Sequence, residues 1–366
     1  MHKQRIRAVV LTPIADFGRC RLATHVCAAL WPVAGKTVLH RLLVHLHRQG
    51  VDEAVICTYG DARPLKEAAG NIHTMQIEFL EEPLPAGNAG CVRDAHDGDG
   101  RTLFLVLQAA TTSPPNVAAL LAAHRVSGSH LTVMLGAAHG NDPAEGRILE
   151  MYVCDPEVIA YMPGEGYCDI KEGLIPAMVR ADQPVGAKVL SHRPSGFRDR
   201  ESYLSAVAAC FDNVGEHLSV GLVNRSGDLW QARSARLAPD VITHGPVMVL
   251  DRADIAGGTV LFGPTIIESD VAIGPNTVVD HSVIWSGAAV GSNCRISRSI
   301  IDRGANVPAH GLVHEDVVIR ESADRRRLWA RRIGAAIKEI PRYGSLASRG
   351  IALVYVLLQM TRIGRY

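Results

Sequence analysis

Apolar and polar positions divide the chain into two regimes. From residue 6 to about 135, short apolar runs alternate with helix-period stretches. "RAVVLT" (7–12) predicts a strand. "TVLHRLLVHLHRQG" places Val38, Leu39, Leu42, Leu43 and Leu46 at helical spacing, with Gly50 positioned to end the helix. "VDEAVICTY" predicts the next strand, and "LFLVLQ" (103–108) is the unbroken apolar run of a central parallel strand. "PPNVAALLAAHRVSG" predicts a helix opened by prolines and closed near Gly128, and "HLTVMLG" another strand. This alternation predicts a mainly parallel sheet with helices on both faces.

From about residue 240 the period changes. Aliphatic residues fall at Val249, Ile255, Leu261, Ile267, Ile273 and Val279, a step of six. The step slips by one, resumes at Ile284, Val290 and Ile296, slips again, and resumes at Ile301, Val307, Val313 and Ile319. Neither a helix nor a simple strand gives this period. A hexapeptide repeat predicts a parallel β-helix, each repeat forming one face and turning its aliphatic residue inward. These thirteen positions correspond to about four coils. A solenoid with uncapped ends favours stacking, so self-association is expected.

Beyond residue 320 the pattern is lost. The segment 323–366 carries ten Lys or Arg and two acids. A helix over 322–338 would be basic on one side and apolar on the other, suited to an anionic membrane surface or a partner. The plainer reading is a cap on the end of the β-helix. "GIALVYVLLQM" (350–360) is eleven residues long, whereas a helix needs about 20 to span a bilayer. The apolar run after "MHKQRIR" is too short for a signal-peptide core.

Composition narrows the classes. The chain has 366 residues and is 47% hydrophobic, enough for two domains with sizeable cores. Lys plus Arg is 38 and Asp plus Glu is 37, so bulk charge gives no argument for nucleic acid. Eight cysteines are scattered without Cys-x-x-Cys spacing. This predicts free thiols in a reducing cytoplasm rather than a zinc site or redox pair.

Four passages, in order, resemble one family: "PVAGKTVLHRLLVHLHRQGVDEAVICT" (32–58), "PAGNAGCVRDA" (85–95), "LFLVLQAA" (103–110) and "MYVCDPEVIAYMP" (151–163). With the hexapeptide tail they resemble the sugar-1-phosphate nucleotidylyltransferases, especially mannose-1-phosphate guanylyltransferase-like and glucose-1-phosphate nucleotidyltransferase-like members. The resemblance covers most of 6–319. It implies an α/β domain, with a Rossmann-like nucleotidyltransferase fold, followed by a left-handed parallel β-helix of hexapeptide repeats. The expected division is 1–215 for a shortened α/β domain, 216–240 for a linker, 241–320 for the β-helix and 321–366 for the tail.

The family's chemistry is in-line attack of a sugar phosphate on the α-phosphorus of a nucleoside triphosphate. It requires backbone N–H groups, cations and Mg²⁺ to offset phosphate charge. The resemblance puts the two loop glycines on Ile14 and Asp16, the arginine on Gly18, the lysine on Ala28 and the first magnesium aspartate on Ala110. Each of these residues lacks the required chemistry. Arg19 and Arg21 are the candidates to replace the lost cation. Asp199 falls on the second magnesium aspartate, and Phe197 replaces the usual tryptophan nearby. The plainer reading of Asp199 is a salt-bridged loop residue. Gly87, Ala89 and Gly90 match the segment that lies against base and ribose, though a tight strand-to-helix turn would need glycine equally. The segment between "HLTVMLG" and "MYVCDPEV" is too short for the family's sugar-phosphate motifs.

Three other signals are weaker. "AGKT" (34–37) lacks the first glycine of a phosphate loop, so Lys36 is expected to flank the next helix. His40, His45 and His47 share a helix without the His-Glu-x-x-His pattern. His281, His310 and His314 lie in the β-helix, where hexapeptide acyltransferases carry a general base.

Three functions stay open. The first is a catalytically impaired relative acting as a regulatory, assembly or nucleotide-sugar-sensing subunit, alone in a homo-oligomer or beside an active paralogue. The second is an active enzyme with a rearranged, Mg²⁺-dependent phosphate site. The third is an acyltransferase or scaffold. The expected ligand is a nucleotide or nucleotide sugar. The expected location is the cytoplasm, with the tail as the one candidate for membrane-surface contact.

Overall fold

The computed structural model describes residues 5–12, 22, 26–70, 72, 74–82, 84–112, 114, 116–136, 148–190, 197, 199–212 and 221–320. Ile14, Asp16, Gly18, Arg19, Arg21 and the tail 321–366 lie outside the described residues. The chain divides into two compact units, Met1–Asp16 with Ala23–Val220 and Phe17–Leu22 with Gly221–Tyr366.

The first unit is built on a seven-stranded sheet. Its strands are β1 (Ile6–Leu11), β4 (Glu53–Tyr59), β5 (Gln76–Glu82), β6 (Leu103–Gln108), β7 (Leu131–Gly136), β8 (Ile148–Cys154) and β9 (Val185–Leu190). A hairpin of β2 (Pro32–Val33) and β3 (Lys36–Thr37) stands apart. The sheet order is β5-β4-β1-β6-β8-β7-β9, with β8 antiparallel to both its neighbours. β1 is central, pairing Val9 with Val55 on one side and with Val106 on the other.

Alternation along β1 divides the core. Ala8 and Val10 join Leu39, Leu42, Leu43 and Leu46 of helix α1 (Val38–Arg48). Val9 and Leu11 pack on the opposite side with Val92 of the helix Gly87–Asp94. A strand buried on both faces reads as an unbroken apolar run, as β6 does.

The helix boundaries follow local chemistry. Thr37 caps α1 by accepting the His40 N–H at 3.2 Å, and Gly50 closes the turn at φ 84°. Helix α2 spans Arg63–Ala69 and α3 spans Gly87–Asp94. In α4 (Val117–Ser127), Asn116 accepts the Ala119 N–H, and Gly128 ends the helix in the left-handed region. Helices α5 (Ile175–Arg180) and α6 (Arg200–Ala209) follow. No helix among the described residues is long and apolar enough to cross a membrane.

The second unit is a hexapeptide-repeat β-helix of three parallel sheets. Two sheets contain five strands each. In the third, an antiparallel strand, Leu222–Ser226, pairs with Leu229–Ala232 and covers the edge of the parallel rungs. Val249, Ile267 and Ile284 stack inward in one column, and Leu261, Val279 and Ile296 in another.

Two details differ from the sequence expectation. Among the described residues, five full rungs are present rather than about four, because 229–244 already pairs with the rung after it. Much of the stretch expected as a linker is therefore in the β-helix. There is also a third slip of the repeat: Ile301 pairs with Val318, so Val318 rather than Ile319 continues the column.

The slips share one corner. Gly263-Pro264-Thr265 turns it in an earlier coil, and His281-Ser282 does so with one residue fewer in the next. A buried hydroxyl ladder stabilises this corner. Ser282 N–H donates to Thr265 Oγ1 (3.3 Å), Ser299 N–H to Ser282 Oγ (3.0 Å) and Asp316 N–H to Ser299 Oγ (3.1 Å). Polar groups buried this deeply must be bonded, and these are.

Candidate functional site

In an open α/β sheet, ligands bind beyond the carboxyl ends of strands where successive connections diverge. That point here lies between β1 and β6. Thr12, just past β1, donates from N–H and Oγ1 to the Cys57 carbonyl at 3.1 and 2.9 Å. Just past β6, the Ala109 N–H donates to the Leu11 carbonyl at 2.8 Å, so the two strand ends are tied together. Ala110 follows, nearly buried, and its methyl group offers no metal ligand.

Ala28 opens a short 3-10 turn, Ala28–Leu30, and is also nearly buried. "AGKT" forms the tight turn and second strand of the β2–β3 hairpin, with Ala34 and Gly35 at φ 49° and 80°. That is hairpin-turn geometry rather than a phosphate cradle. Lys36 flanks α1 from an exposed position.

Trp31 stacks on Phe197 (centroids 4.9 Å apart) and meets Tyr203 edge-on at 5.1 Å. The Tyr203 hydroxyl bonds the Pro32 carbonyl. This cluster brings the start of α6 to the hairpin. There Asp199 is the N-cap, its Oδ1 accepting the Ser202 N–H at 2.8 Å.

Gly87, Ala89 and Gly90 form the first turn of α3. The Ala89 and Gly90 N–H groups both donate to the Cys168 carbonyl at 3.1 Å. Cys168 N–H donates back to Ala86 O at 2.8 Å, and Ile170 N–H to Asn88 Oδ1 at 2.5 Å. Gly87 has φ 76°, and a Cβ there would lie 2.3 Å from the Cys168 carbonyl oxygen. Close approach of the chain's own backbone is therefore sufficient to require this glycine.

Sequence reasoning missed a polar trio beside the end of β6. Glu150 accepts from Gln108 Nε2 and from Lys171 Nζ, each at 3.1 Å. Glu150 has φ 54° within β8, a conformation rare for a non-glycine residue. Positive φ leaves no signal in the sequence unless the residue is Gly, Asn or Asp.

Among the described residues, two groups of side chains able to ligate a metal converge within the unit. Near the ends of β4 and β5, the ligand atoms of Cys57, Glu82 and Cys91 lie within 4.8 Å of one another. The Cys91 thiol donates to Glu82 Oε1 at 3.1 Å. Hydrogen bonding to Cys57, burial and the adjacent Glu82 charge push the Cys91 thiol up. His130, Asp155 and Glu157 form the other cluster. Burial raises the Asp155 carboxyl, but bonding from His124 and His130 outweighs this and holds it below the ordinary value.

Among the described residues, the other histidines singled out by the sequence do not converge. His40 Nδ1 is 2.9 Å from Ala69 O, His45 Nε2 is 2.7 Å from Gln49, and His47 Nε2 is 3.1 Å from Thr74 Oγ1. In the β-helix, His281 and His310 occupy exposed turn positions at φ 44° and 62°, and His281 bonds Asp280. His314 Nδ1 lies 2.7 Å from Ser297 Oγ on the neighbouring coil.

Comparison with known proteins agrees with this two-part architecture. Residues 245–333 match the family described as GlmU-like, C-terminal hexapeptide. Over 300 residues the chain is 21% identical to the bifunctional protein GlmU of Exiguobacterium sp., a match covering 72% of this chain and 64% of that relative. The chain thus spans less than two thirds of that relative's length. The matched hexapeptide segment includes the inward columns described above.

Proposed function

We propose that this GlmU-similar chain is a nucleotidyltransferase-like protein whose α/β unit has lost nucleotidyl transfer and retained a binding role. It would act as a regulatory, assembly or nucleotide-sugar-sensing subunit in the cytoplasm. Its partner would be a second copy or an active paralogue. The observation that carries the reading is Ala110 at the end of β6, where the resemblance expects a metal-binding carboxylate.

Among the described residues, the donors at the two expected metal positions do not fit the family's magnesium ion. Ala110 supplies no side-chain oxygen, and Asp199 Oδ1 already caps α6. The Ala28 methyl cannot replace the cation that would balance phosphate charge. Loss of a single preorganised donor typically slows an enzyme ~10²–10³-fold, and several are absent together.

Binding places smaller demands on the site than catalysis. The expected result is that a nucleotide or nucleotide sugar raises the melting temperature, equally with and without Mg²⁺. At 100 times its dissociation constant, a ligand adds ~2.7 kcal/mol of stability. No shift across a panel of nucleotides and nucleotide sugars would refute the sensing role and leave assembly. A magnesium-dependent shift accompanied by turnover would instead support an active enzyme, with Arg19 or Arg21 supplying the cation.

A second reading rests on the β-helix. The match to a GlmU-like hexapeptide family and the His314–Ser297 contact favour acyl transfer. Incubation with a panel of acyl-coenzyme A donors tests it, and free coenzyme A is the product to measure.

A further inference from the structure

We propose that Cys57, Glu82 and Cys91 form a binding site for a thiophilic divalent cation, with zinc the ion that best matches their chemistry. The three residues come from three elements: the end of β4, the end of β5 and the second turn of α3. Alternation along β4 turns Val55 and Cys57 to the face that packs on α3, where Cys91 and Val92 meet them. Both cysteines are buried and free of disulfides, and Glu82 is half-buried.

The geometry is close to what zinc requires. Its bonds are about 2.3 Å to sulfur and about 2.1 Å to oxygen, so tetrahedral ligand atoms lie roughly 3.5–3.8 Å apart. Here the Cys91 Sγ to Glu82 Oε1 distance is 3.1 Å, and no pair exceeds 4.8 Å. Adjustments of about an ångström or less would form the site. Two soft thiolates with one carboxylate select zinc over magnesium or calcium.

The outer contacts are also in place. Glu82 Oε2 accepts the Ala86 N–H at 2.9 Å, which leaves Oε1 directed at Cys91. Such a contact orients a ligating carboxylate. The His130–Asp155–Glu157 group differs, because histidines already occupy both Asp155 oxygens: His124 at Oδ1 (3.3 Å) and His130 at Oδ2 (3.2 Å). An ion at the cysteine site would tie the α3 turn that carries Gly87 and Gly90 to the sheet. The fourth coordination position would be filled by water.

The test uses the full chain, reduced and stripped with a chelator, then titrated with Co²⁺ as a spectroscopic substitute for zinc. The expected result is a thiolate-to-cobalt charge-transfer band that saturates at one ion per chain and is bleached by Zn²⁺. Cys57→Ala and Cys91→Ala should each remove the band, Glu82→Gln should weaken binding at least tenfold, and Cys294→Ala should change nothing. If the cysteine variants fail to fold, alkylation of the wild-type chain decides: zinc should protect Cys57 and Cys91 together, as located by peptide mass. No band in the wild type, an unchanged band in a folded double-cysteine variant, or equal alkylation with and without zinc would overturn the proposal.

Discussion

Replacing Gly87 with alanine separates two reasons for a glycine at the start of α3. If the residue exists only to admit a ligand, the substitution should leave the ligand-free protein unaffected. The structure gives a different expectation. At φ 76° an alanine is strained by about 1–2 kcal/mol. Its Cβ would also lie 2.3 Å from the Cys168 carbonyl oxygen, which must move away. That oxygen accepts two N–H groups, from Ala89 and Gly90, at 3.1 Å each. Weakening both bonds adds about 1–3 kcal/mol, so the expected loss is about 2–5 kcal/mol. Gly98 provides the control. It has φ 79° but nothing within 4 Å of the position a Cβ would take, so Gly98→Ala carries the strain alone. Urea denaturation followed by far-ultraviolet circular dichroism would compare the two variants without ligand. Equal destabilisation, within about 0.5 kcal/mol, would refute the close-approach explanation.

Three further outcomes are expected. Ser282→Ala leaves the buried Ser299 N–H without its acceptor and should cost the β-helix about 1–3 kcal/mol in denaturant unfolding. Asp199→Ala should cost about 1 kcal/mol through the lost helix cap. Asp199→Asn, an equally good cap, should be nearly neutral, and Mg²⁺ should not distinguish these variants in a thermal melt. Burial raises the Glu53 carboxyl, but Arg5 and Arg7 outweigh this and hold it below its ordinary value. Its stabilising contribution is therefore complete above about pH 4.3 and lost as pH falls through the folded value. Glu53→Gln should accordingly destabilise at pH 7 and progressively less as pH falls through the folded value, as read from unfolding midpoints across the acid range.

The β-helix was legible because one inward residue in six governs each face. Its first rung was not, because its inward positions are Gln231, Leu237 and Thr243, only one of them aliphatic. Gln231 is accommodated because its amide donates to the Ala235 carbonyl at 2.8 Å. The third slip was hidden because Val318 and Ile319 are both aliphatic, and pairing with Ile301 alone distinguishes them. In the α/β unit the central strands were legible as apolar runs. The cysteine pair was not, since Cys57 and Cys91 meet through β4 and α3 packing rather than sequence spacing. Asp199 was readable as an acid at a resemblance-derived position, but its capping bond depends on where α6 begins.

The most direct test of lost nucleotidyl transfer is pyrophosphate release by the purified chain. Nucleoside triphosphates would be paired with sugar 1-phosphates in the presence of Mg²⁺, with an active nucleotidylyltransferase as the positive control. The expected result is release no faster than the protein-free background. Sustained magnesium-dependent release, with a nucleotide sugar accumulating in equal amount, would contradict the reading built on Ala110 and Ala28.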